Sequence, residues 1–361
     1  MSADLVARLR LIRSPSIGPV SFRHLLARFG SAEAALAAVP DLAARGGGRS
    51  PNLVTAAAAE KEIAQVEALG ARYLMLGQGL YPHLLAELGD APPLLMAKGD
   101  LRLFERPLVA MVGARNASAA ACRFARGLAH DLGDAGAVIV SGLARGIDSA
   151  AHDGALASGT IGVVAGGIDV FYPPENEERQ QTMMEQGLVL AEMPPGTEPH
   201  ARHFPYRNRI IAGLALGTVV IEAAPRSGSL ITARLATEAG REVMAVPGSP
   251  LDPRAQGCNS LIRDGATLVQ SAADVMETLT PLAGRVASPR SHFEPEIPSQ
   301  PADADDAARR VVEELLGPSP APIDEIVRLS GLASGAVQMV LLELDLAGRL
   351  DRHAGGKVSL R

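Results

Sequence analysis

The middle of this chain carries seven short aliphatic runs, and this pattern constrains the fold more than any other feature. The runs are Leu108 to Val112, Val138 to Val140, Ile161 to Ala165, Leu188 to Ala191, Thr218 to Ile221, Val243 to Val246 and Thr267 to Val269. Helical stretches separate them, and uninterrupted Val, Ile and Leu are typical of strands that are buried on both faces. The sequence therefore predicts an α/β core with a doubly wound, mostly parallel sheet.

Six of the runs are followed by loops of Gly, Ser or Pro. These loops contain Gly113, Ser141-Gly142, Gly166-Gly167, Pro194 to Gly196, Ser227 to Ser229 and Pro247-Gly248. In a doubly wound sheet such loops meet at one edge, outside the carboxyl ends of the strands, where ligands bind. We expect a wide groove lined by glycine at that edge.

The segment before the core has helical periodicity, with Phe22, Leu25 and Phe29 at helical spacing. Its turn from Ser16 to Pro19 contains a single glycine. For this turn we favour a corner that serves packing or partner contact. A helix-hairpin-helix loop, whose backbone amides contact DNA phosphate, is the alternative.

The segment after the core begins with residues 281–303, which are rich in Pro, Ser and acids and predict a flexible linker. Three helices and a hairpin around Gly355-Gly356 then predict a winged helix. Its third helix carries Gln338, Glu343 and Asp345 and no base before Arg349, so we favour protein docking over DNA reading. The predicted domains are 1–65, 66–280, the linker 281–303, and 304–361.

Composition limits the setting of this chain. At 361 residues with 47% hydrophobic content, it is long enough for two or three domains with a real core. No apolar run has the length of a membrane span, and the start lacks the apolar region of a secretory signal. The two cysteines, Cys122 and Cys258, suit a reducing compartment. We therefore expect a cytoplasmic protein with no membrane partner.

Charge distribution indicates an anion site, although the formal net charge is −6. Between residues 199 and 237, five arginines accompany one carboxylate, Glu222. All fourteen basic residues between 106 and 270 are arginine, whose planar fork suits phosphate and is a poor proton donor. The segment from Phe204 is interpreted as a doubly basic loop with Arg207 and Arg209. This composition favours binding over catalysis.

Two motifs decide against a dinucleotide cofactor. In MVGARNAS, Gly113 and Arg115 follow the first core strand, but the GxGxxG pattern fails after its first glycine. The segment after the next strand has no acid at the strand end to bind a ribose hydroxyl. The sequence predicts no cofactor.

Catalytic alternatives remain incomplete. Asp148 and His152 lie four residues apart, as in an acid–base pair or half a metal site, but we favour Asp148 as a helix N-cap. Glu192 and Glu222 end strands, as in a hydrolase that cleaves an N-glycosidic bond. Ser227 and Ser229 lack the surroundings of a nucleophile. We expect no enzyme and no metal, and a nucleotide phosphoribohydrolase-type enzyme is the alternative.

Aromatic residues point to the kind of anion. The chain has only seven Phe and four Tyr, yet Phe171, Tyr172, Phe204 and Tyr206 lie in two loops of the expected groove. Aromatic rings beside arginines stack unpaired bases while the arginines hold phosphate. A Phe204 that is simply buried against the sheet is equally compatible with the sequence. Single-stranded nucleic acid fits the combined pattern best.

Eight segments of the core, in one order between Leu94 and Ala266, resemble the DNA-processing protein A (DprA/Smf) family. They are VGAR, SGLARGID, AHDGAL, AGGIDVFYP, FPYRNRIIAGL, VIEAAPRSGSLITA, GREVMAVPG and GCNSLIRDGA. The resemblance implies an extended Rossmann-like core between a helical domain like a sterile alpha motif (SAM-like) and a winged helix. It also implies a dimeric, non-catalytic protein that binds and protects single-stranded DNA in natural transformation and helps load the RecA recombinase.

The resemblance further implies which residues line the DNA groove. They are Gly113, Arg115, Ser141, Gly142, Arg145, Gly166, Gly167, Arg202, Phe204, Arg207, Asn208, Arg209, Ser227, Gly228 and Ser229. The homodimer surface is expected near residues 240–270. Relatives often carry a lysine soon after the Tyr-Pro pair, whereas here Tyr172 is followed by Pro173, Pro174 and Glu175. The arginines of 202–209 are therefore expected to bear more of the phosphate contact.

Overall fold

The computed structural model describes residues 2–49, 51–286, 304–353 and 355–361. These residues form two compact units. The core unit spans Ala64–Arg290, and the terminal unit combines Met1–Ile63 with Ser291–Arg361. Most of the predicted linker lies outside the described residues. Its first six residues, 281–286, instead belong to the last helix of the core unit.

In the described part of the core unit, nine strands form one sheet. They are β1 (Arg72–Met75), β2 (Leu94–Gly99), β3 (Leu108–Gly113), β4 (Val138–Ser141), β5 (Thr160–Val164), β6 (Leu188–Ala191), β7 (Gly217–Ile221), β8 (Glu242–Ala245) and β9 (Thr267–Leu268). Their order is β1-β2-β6-β5-β4-β3-β7-β8-β9. The pairs from β6 to β9 are parallel, and β2 runs antiparallel to both β1 and β6. The predicted mostly parallel sheet is confirmed.

Twelve helices precede residue 287 in the described chain. They are α1 (Ala3–Arg13), α2 (Pro19–Phe29), α3 (Ala32–Arg45), α4 (Ala56–Ala68), α5 (His83–Ala86), α6 (Ala119–Asp134), α7 (Ile147–Ala155), α8 (Glu177–Gln186), α9 (His203–Leu214), α10 (Gly228–Glu238), α11 (Gln256–Arg263) and α12 (Ala272–Val286). Short 3₁₀ turns lie at Leu101–Glu105 and Pro174–Asn176. None of the described helices is both long and apolar enough to cross a membrane.

Strand β3 shows why the aliphatic runs are continuous. Val109 and Met111 point into one hydrophobic cluster, with residues of α6, α7 and α12, whereas Ala110 and Val112 point into another, with residues of α9 and α10. Side chains alternate between the two faces of a strand, so a strand covered on both faces needs apolar residues at every position. This burial holds the strand ends, and the loops that follow them, in fixed positions.

Sequence reasoning missed strands β1 and β2. They extend the sheet beyond β6 as two antiparallel strands, and β2 pairs with β6 at Met96–Ala191 and Gly99–Leu188. Neither contains the uninterrupted Val and Ile that marked the parallel strands, and β2 begins directly after Pro92 and Pro93. Short strands at the side of a sheet have a weak sequence signal, because their formation depends on tertiary pairing more than on composition.

The terminal unit contains α1 to α3 and the winged helix. The latter comprises α13 (Asp306–Leu315), α14 (Ile323–Ser330), α15 (Ser334–Leu346) and a sheet of β10 (Ala321–Pro322), β11 (Leu350–His353) and β12 (Lys357–Leu360) in the order β10-β12-β11. The predicted three helices and hairpin are confirmed. Asp305 caps α13 by accepting the Ala308 N–H at 2.7 Å.

Candidate nucleic-acid interface

A cavity of about 370 Å³ opens at the carboxyl ends of β3, β4 and β5. Four loops and the first turns of α9 surround it. The lining residues are Arg115, Asn116, Gly142, Leu143, Ala144, Arg145, Val164, Ala165, Gly166, Val170, Tyr172, Pro173, Pro174, Pro199, Phe204 and Arg207. Six predicted site residues lie here together: Arg115, Gly142, Arg145, Gly166, Phe204 and Arg207. The expected groove at this edge therefore includes a defined cavity.

Phe204 is the aromatic centre of the cavity. The Cζ atom of Arg115 lies 4.8 Å from the centroid of the Phe204 ring, and that of Arg207 lies 5.9 Å from it. The Tyr172 ring is 5.9 Å away at a tilt of 54°. Guanidinium groups over a ring are attracted by its quadrupole. The ring is only partly buried, so it is not merely a core residue.

The charged side chain of Arg207 is buried. Its side chain is 6% exposed, and its Nη1 lies 3.9 Å from Oδ2 of Asp148. Among the described residues, its buried Nε finds no hydrogen-bond partner. Burial, opposed by the charge of Asp148 and reinforced by that of Arg115, lowers the pKa of Arg207 to about 10. The group therefore stays charged at neutral pH and keeps a donor without an acceptor.

Asp148 holds the loop after β4 in place. Its Oδ2 accepts the backbone N–H groups of Gly142 at 3.2 Å and Ala144 at 3.4 Å. Burial raises the pKa of this carboxyl group, and Arg207 counteracts that rise. The expectation that Asp148 is the N-cap of α7 is wrong, because Gly146 takes that position and Asp148 lies in the first turn. Its carboxylate satisfies amides of the preceding loop instead.

His152 has partners other than Asp148. The Thr160 hydroxyl donates to the carbonyl of Ile139 at 3.1 Å, so His152 Nδ1 donates to Thr160 Oγ1 at 2.7 Å. Burial lowers the pKa of His152 to about 3, which leaves the ring neutral. Among the described residues, no group of three His, Cys, Asp or Glu side chains is arranged to hold a metal ion. Nothing in this geometry pairs Asp148 with His152 for acid–base chemistry.

Arg209 is turned away from the cavity. Its Nη2 donates to both carboxylate oxygens of Glu192 at 2.6 and 2.8 Å, and its Nε lies 3.6 Å from Oδ2 of Asp90. The interpretation of this segment as a loop is wrong, since α9 begins at His203. Residues two apart on a helix point about 200° apart, so Arg207 and Arg209 serve opposite faces. Arg209 fixes α9 to the end of β6.

Glu222 fills the place where a doubly wound sheet usually binds a phosphate. The chain order reverses between β3 and β7, and ligands bind at such a switch point. Here the Glu222 carboxylate accepts the Ser118 N–H at 2.9 Å and the Ser118 Oγ–H at 2.6 Å, at the start of α6. Glu222 adopts φ +50°, an uncommon value outside glycine. An internal anion thus occupies this helix N-terminus.

The other predicted residues do not line the cavity. Gly113, Ser141 and Gly167 are structural: a Cβ on Gly113 would lie 2.0 Å from the Ile221 carbonyl oxygen, and Ser141 Oγ donates to the Met111 carbonyl at 2.6 Å. Arg202 is exposed at the N-cap of α9, followed in that helix by Asn208. Ser227, Gly228 and Ser229 start α10, where the two serine hydroxyls lie 2.7 Å apart.

Three family models match the whole of this layout. The model of DNA recombination-mediator protein A covers residues 72–280, that of a DprA-like N-terminal HHH domain covers 2–64, and that of a DprA winged helix domain covers 295–356. The first alone spans more than half of the chain. This chain belongs to the DprA family. The name of the N-terminal model agrees with the alternative interpretation of the turn from Ser16 to Pro19, a helix-hairpin-helix loop.

Individual proteins of this family are also similar to this chain. The DNA processing protein DprA of Streptococcus pneumoniae is 50% identical over 202 residues, which cover 54% of this chain and 70% of that protein. Its X-ray structure matches with a TM-score of 0.59 and 45% identity, over 62% of this chain and 78% of that one. A Helicobacter pylori DNA processing protein A, described for its single-stranded DNA binding mode, matches with a TM-score of 0.53 and 30% identity, over 58% and 96%.

An exposed ion pair lies at the rim of the cavity. Glu175, soon after the Tyr172-Pro173 pair, binds Arg145. The Arg145 side chain lowers the pKa of Glu175 by hydrogen bonding and charge. Both side chains are exposed, so the pair is weak and an incoming anion competes with Glu175 for Arg145. The net positive charge of the cavity therefore comes from Arg115 and Arg207.

Sequence reasoning missed several lining residues. Pro174 and Pro199 shape the cavity walls, and Asn176 holds the β4 loop by donating to the Leu143 carbonyl at 2.8 Å. The AGGIDVFYP segment is a usable signal for the 170–174 wall, because it places the aromatic Tyr172 in a loop of the expected groove. Leu143 belongs to the SGLARGID segment, but its φ of +54° is seen only in the structure.

Proposed function

We propose that this protein binds single-stranded DNA, with one unpaired base against Phe204 and an adjacent phosphate at Arg115 and Arg207. The observation that carries the proposal is the Arg207 guanidinium, which lines the cavity beside the partly exposed Phe204 ring and whose acidic neighbour, Asp148, lies 3.9 Å away. A buried cation with only a distant counter-ion is costly, and a phosphate is the anion that an arginine fork suits best. The single-stranded DNA binding mode described for the H. pylori relative is consistent with this proposal.

Selectivity for single strands follows from the position of the aromatic ring. Phe204 is partly buried and lines a cavity of about 370 Å³ between loops, so the ring is not on an open surface. In a duplex both faces of each base are already stacked, so a base must leave the helix before it can reach the ring. The cavity therefore favours strands whose bases are already unpaired.

On the same basis we propose the wider role implied by the family. The protein would protect incoming DNA in natural transformation and help to load RecA onto it in the cytoplasm, where its two free thiols suit a reducing compartment. The proposal includes no catalytic step. A phosphoribohydrolase would need carboxylates free for substrate, but Glu192 binds Arg209 and Glu222 binds Ser118.

We also propose a homodimer through the late part of the core. Between residues 240 and 270, Leu251 is 92% exposed and Leu268 is 44% exposed. Leu268 belongs to β9, the last strand of the sheet, whose outer edge is open to pairing in the described chain. Sedimentation of the wild type and of Leu251→Asp with Leu268→Asp tests this; an unchanged mass for the double variant would reject the surface.

The direct test of DNA binding is a titration of labelled oligonucleotides at two salt concentrations. Arg115→Glu should weaken single-strand binding by at least about tenfold and flatten its salt dependence, because each lost phosphate contact removes about 0.7 from the slope of log K against log salt. Arg102→Glu is the matched control: the same charge reversal on an exposed residue, in the 3₁₀ turn at the opposite edge of the sheet. Equal affinities for both variants and the wild type would refute the proposal.

A further inference from the structure

Helix α15 of the winged helix is buried on nearly every side from Val337 to Leu346, whereas Ser334 and Gly335 at its start are exposed. Its buried residues are Val337, Met339, Val340, Leu341, Leu342, Glu343, Leu344 and Leu346. In helix-turn-helix proteins, the corresponding helix lies in the major groove of DNA and keeps one face open to it. A helix whose faces are all covered is instead an internal helix. Other elements of the terminal unit therefore cover most of the face that such a helix offers to DNA.

The N-terminal helices provide that cover. Helix α15 contacts α2 and α3 as well as α13, α14 and β11. A single hydrophobic cluster joins Leu25 and Leu36 of the N-terminal helices to Val340 and Leu344 of α15. The two ends of the chain, more than 300 positions apart in sequence, thus share one core.

Backbones approach closely at this junction because glycine occupies the contact points. A Cβ on Gly46 would lie 2.1 Å from the Glu343 carbonyl oxygen, and one on Gly48 would lie 2.5 Å from the Ala347 carbonyl oxygen. Such distances exclude any larger residue unless the backbone moves. The glycine cluster after α3 is therefore a docking surface for the end of α15, and not only a helix stop.

Polar contacts give the junction a definite register. The buried Ser21 hydroxyl donates to Asp345, whose Oδ2 also accepts Arg352 Nε at 2.9 Å. Arg349 Nη1 donates to the Gly46 carbonyl at 2.9 Å. Partly buried hydrogen bonds of this kind favour one arrangement, because separating the two groups leaves each without its partner.

The two parts of the terminal unit also differ in charge. Residues 1–63 contain eight basic and five acidic side chains, whereas residues 304–361 contain seven basic and nine acidic ones. The acids that make α15 a poor DNA reader have protein partners: Asp345 meets α2, and Glu343, with a side chain 1% exposed, pairs with Arg309 at 2.8 Å. These acids are suited to a protein surface and not to phosphate.

We infer that the docking partner of this winged helix is the N-terminal helical domain of the same chain, and that the contact closes both elements to duplex DNA. The turn from Ser16 to Pro19 is included in the closure, since a Cβ on Gly348 would lie 3.6 Å from Ser16 Oγ. The terminal unit is then an intramolecular clasp. Single-strand binding by the core unit does not depend on it.

A disulfide across the junction tests the inference in the full chain. Ser21→Cys with Asp345→Cys, in a Cys122→Ser background, should oxidise to a bond that links two tryptic peptides, one ending at Arg23 and one ending at Arg349, within a single chain. Ser31→Cys with Asp345→Cys is the control, since Ser31 caps α3 away from Asp345 and should give little cross-link. Cross-links mainly between chains, or equal yields from both pairs, would overturn the inference.

Duplex binding supplies the functional readout. Oxidised and reduced forms of the Ser21→Cys, Asp345→Cys variant should bind a duplex oligonucleotide equally, within about twofold. A winged helix that opens to read DNA would instead lose at least about tenfold when locked, because base contacts are made by its third helix. That loss would refute the clasp, whether or not the core unit binds single strands.

A second variant tests the same contact without a disulfide, in case the two cysteines do not form one. Gly46→Val forces the α3 end away from Glu343 and should speed amide hydrogen exchange in α15 as well as in α3. Gly18→Ala, which meets nothing within 4 Å, is the matched substitution elsewhere in the N-terminal helices. Unchanged exchange in α15 of Gly46→Val would show that the two ends are not docked in solution.

Discussion

At the scale of single residues, the site depends on how Arg207 is held. Burial and the absence of a full ion pair leave its Nε unsatisfied, while Asp148 at 3.9 Å keeps the group oriented. A phosphate in the cavity would meet a guanidinium whose acidic neighbour lies beyond hydrogen-bond distance, so it would not have to displace a close ion pair. This separates Arg207 from Arg209, which already has both oxygens of Glu192.

Phe204→Ala should weaken single-strand binding by about 1–3 kcal/mol, the usual contribution of one stacked base. The salt slope should stay at the wild-type value, because the phosphate contacts remain. Oligonucleotide titrations at several salt concentrations measure both quantities. Phe204→Tyr keeps a ring and should bind like the wild type; a loss equal to that of the alanine variant would argue against stacking.

Gly142→Ala should move the Arg207 guanidinium out of its place without removing its charge. The added Cβ would lie 1.3 Å from Arg207 Nη1, the end of a flexible side chain, so the guanidinium must leave its place while the fold persists. We expect a loss of affinity of about tenfold, equivalent to one charge-assisted hydrogen bond. Gly127→Ala in α6, with nothing within 4 Å, is the control. Wild-type affinity of Gly142→Ala would mean that Arg207 does not contact DNA.

At the scale of elements, helices α7 and α9 carry the site because they are anchored from behind. His152 ties α7 to the start of β5 through Thr160, and Arg209 ties α9 to the end of β6 through Glu192. Both anchors are buried, so neither is free to serve chemistry. Their roles are to fix the loops that face the cavity.

His152 should make the stability of the core unit depend on pH. Its pKa falls from 6.5 to about 3 on burial, so the unfolded chain binds a proton that the folded chain does not. This contribution to stability is complete above pH 6.5 and is lost as the pH falls, by about 1.4 kcal/mol per pH unit down to the folded pKa.

Tyrosine fluorescence during denaturation measures that slope in the core unit alone, because Tyr73, Tyr81, Tyr172 and Tyr206 all lie there and the chain has no tryptophan. His152→Gln should flatten the loss of stability between pH 6.5 and pH 4. His130→Gln, at an exposed position of α6, should leave it unchanged. Parallel slopes for His152→Gln and the wild type would contradict a buried neutral histidine.

At the scale of the whole molecule, the described residues form four hydrophobic clusters. Three lie in the core unit with its nine-stranded sheet, and one joins the first three helices to the winged helix. Because side chains within a cluster are closely packed, a cavity made in one cluster should be felt by the elements that share it.

Leu25→Ala tests this organisation. Leu25 is fully buried in the terminal unit, and its loss should cost about 2–5 kcal/mol. Hydrogen exchange should accelerate in α1 to α3 and also in α15, while β3 to β7 keep their protection. Acceleration confined to the N-terminal helices would indicate that the two chain ends unfold separately.

Much of the fold was decided by local composition. Aliphatic runs such as Leu108 to Val112 favour a sheet covered on both sides, and three helical stretches followed by a hairpin around Gly355-Gly356 indicated the winged helix. The margin strands β1 and β2 were missed because their residues are not distinctive. The arginine-rich chemistry of the site was also evident, since charge type is a property of the sequence itself.

The direction in which each arginine points was decided only by tertiary structure. Arg207 and Arg209 are near-identical in sequence context, yet the helix that contains them sends one to the cavity and the other to Glu192. The same holds for Glu222, whose carboxylate fills the helix N-terminus at the switch point. A sequence determines which groups are present and what they prefer to bind; the packed fold alone determines which of those preferences are already satisfied within the protein.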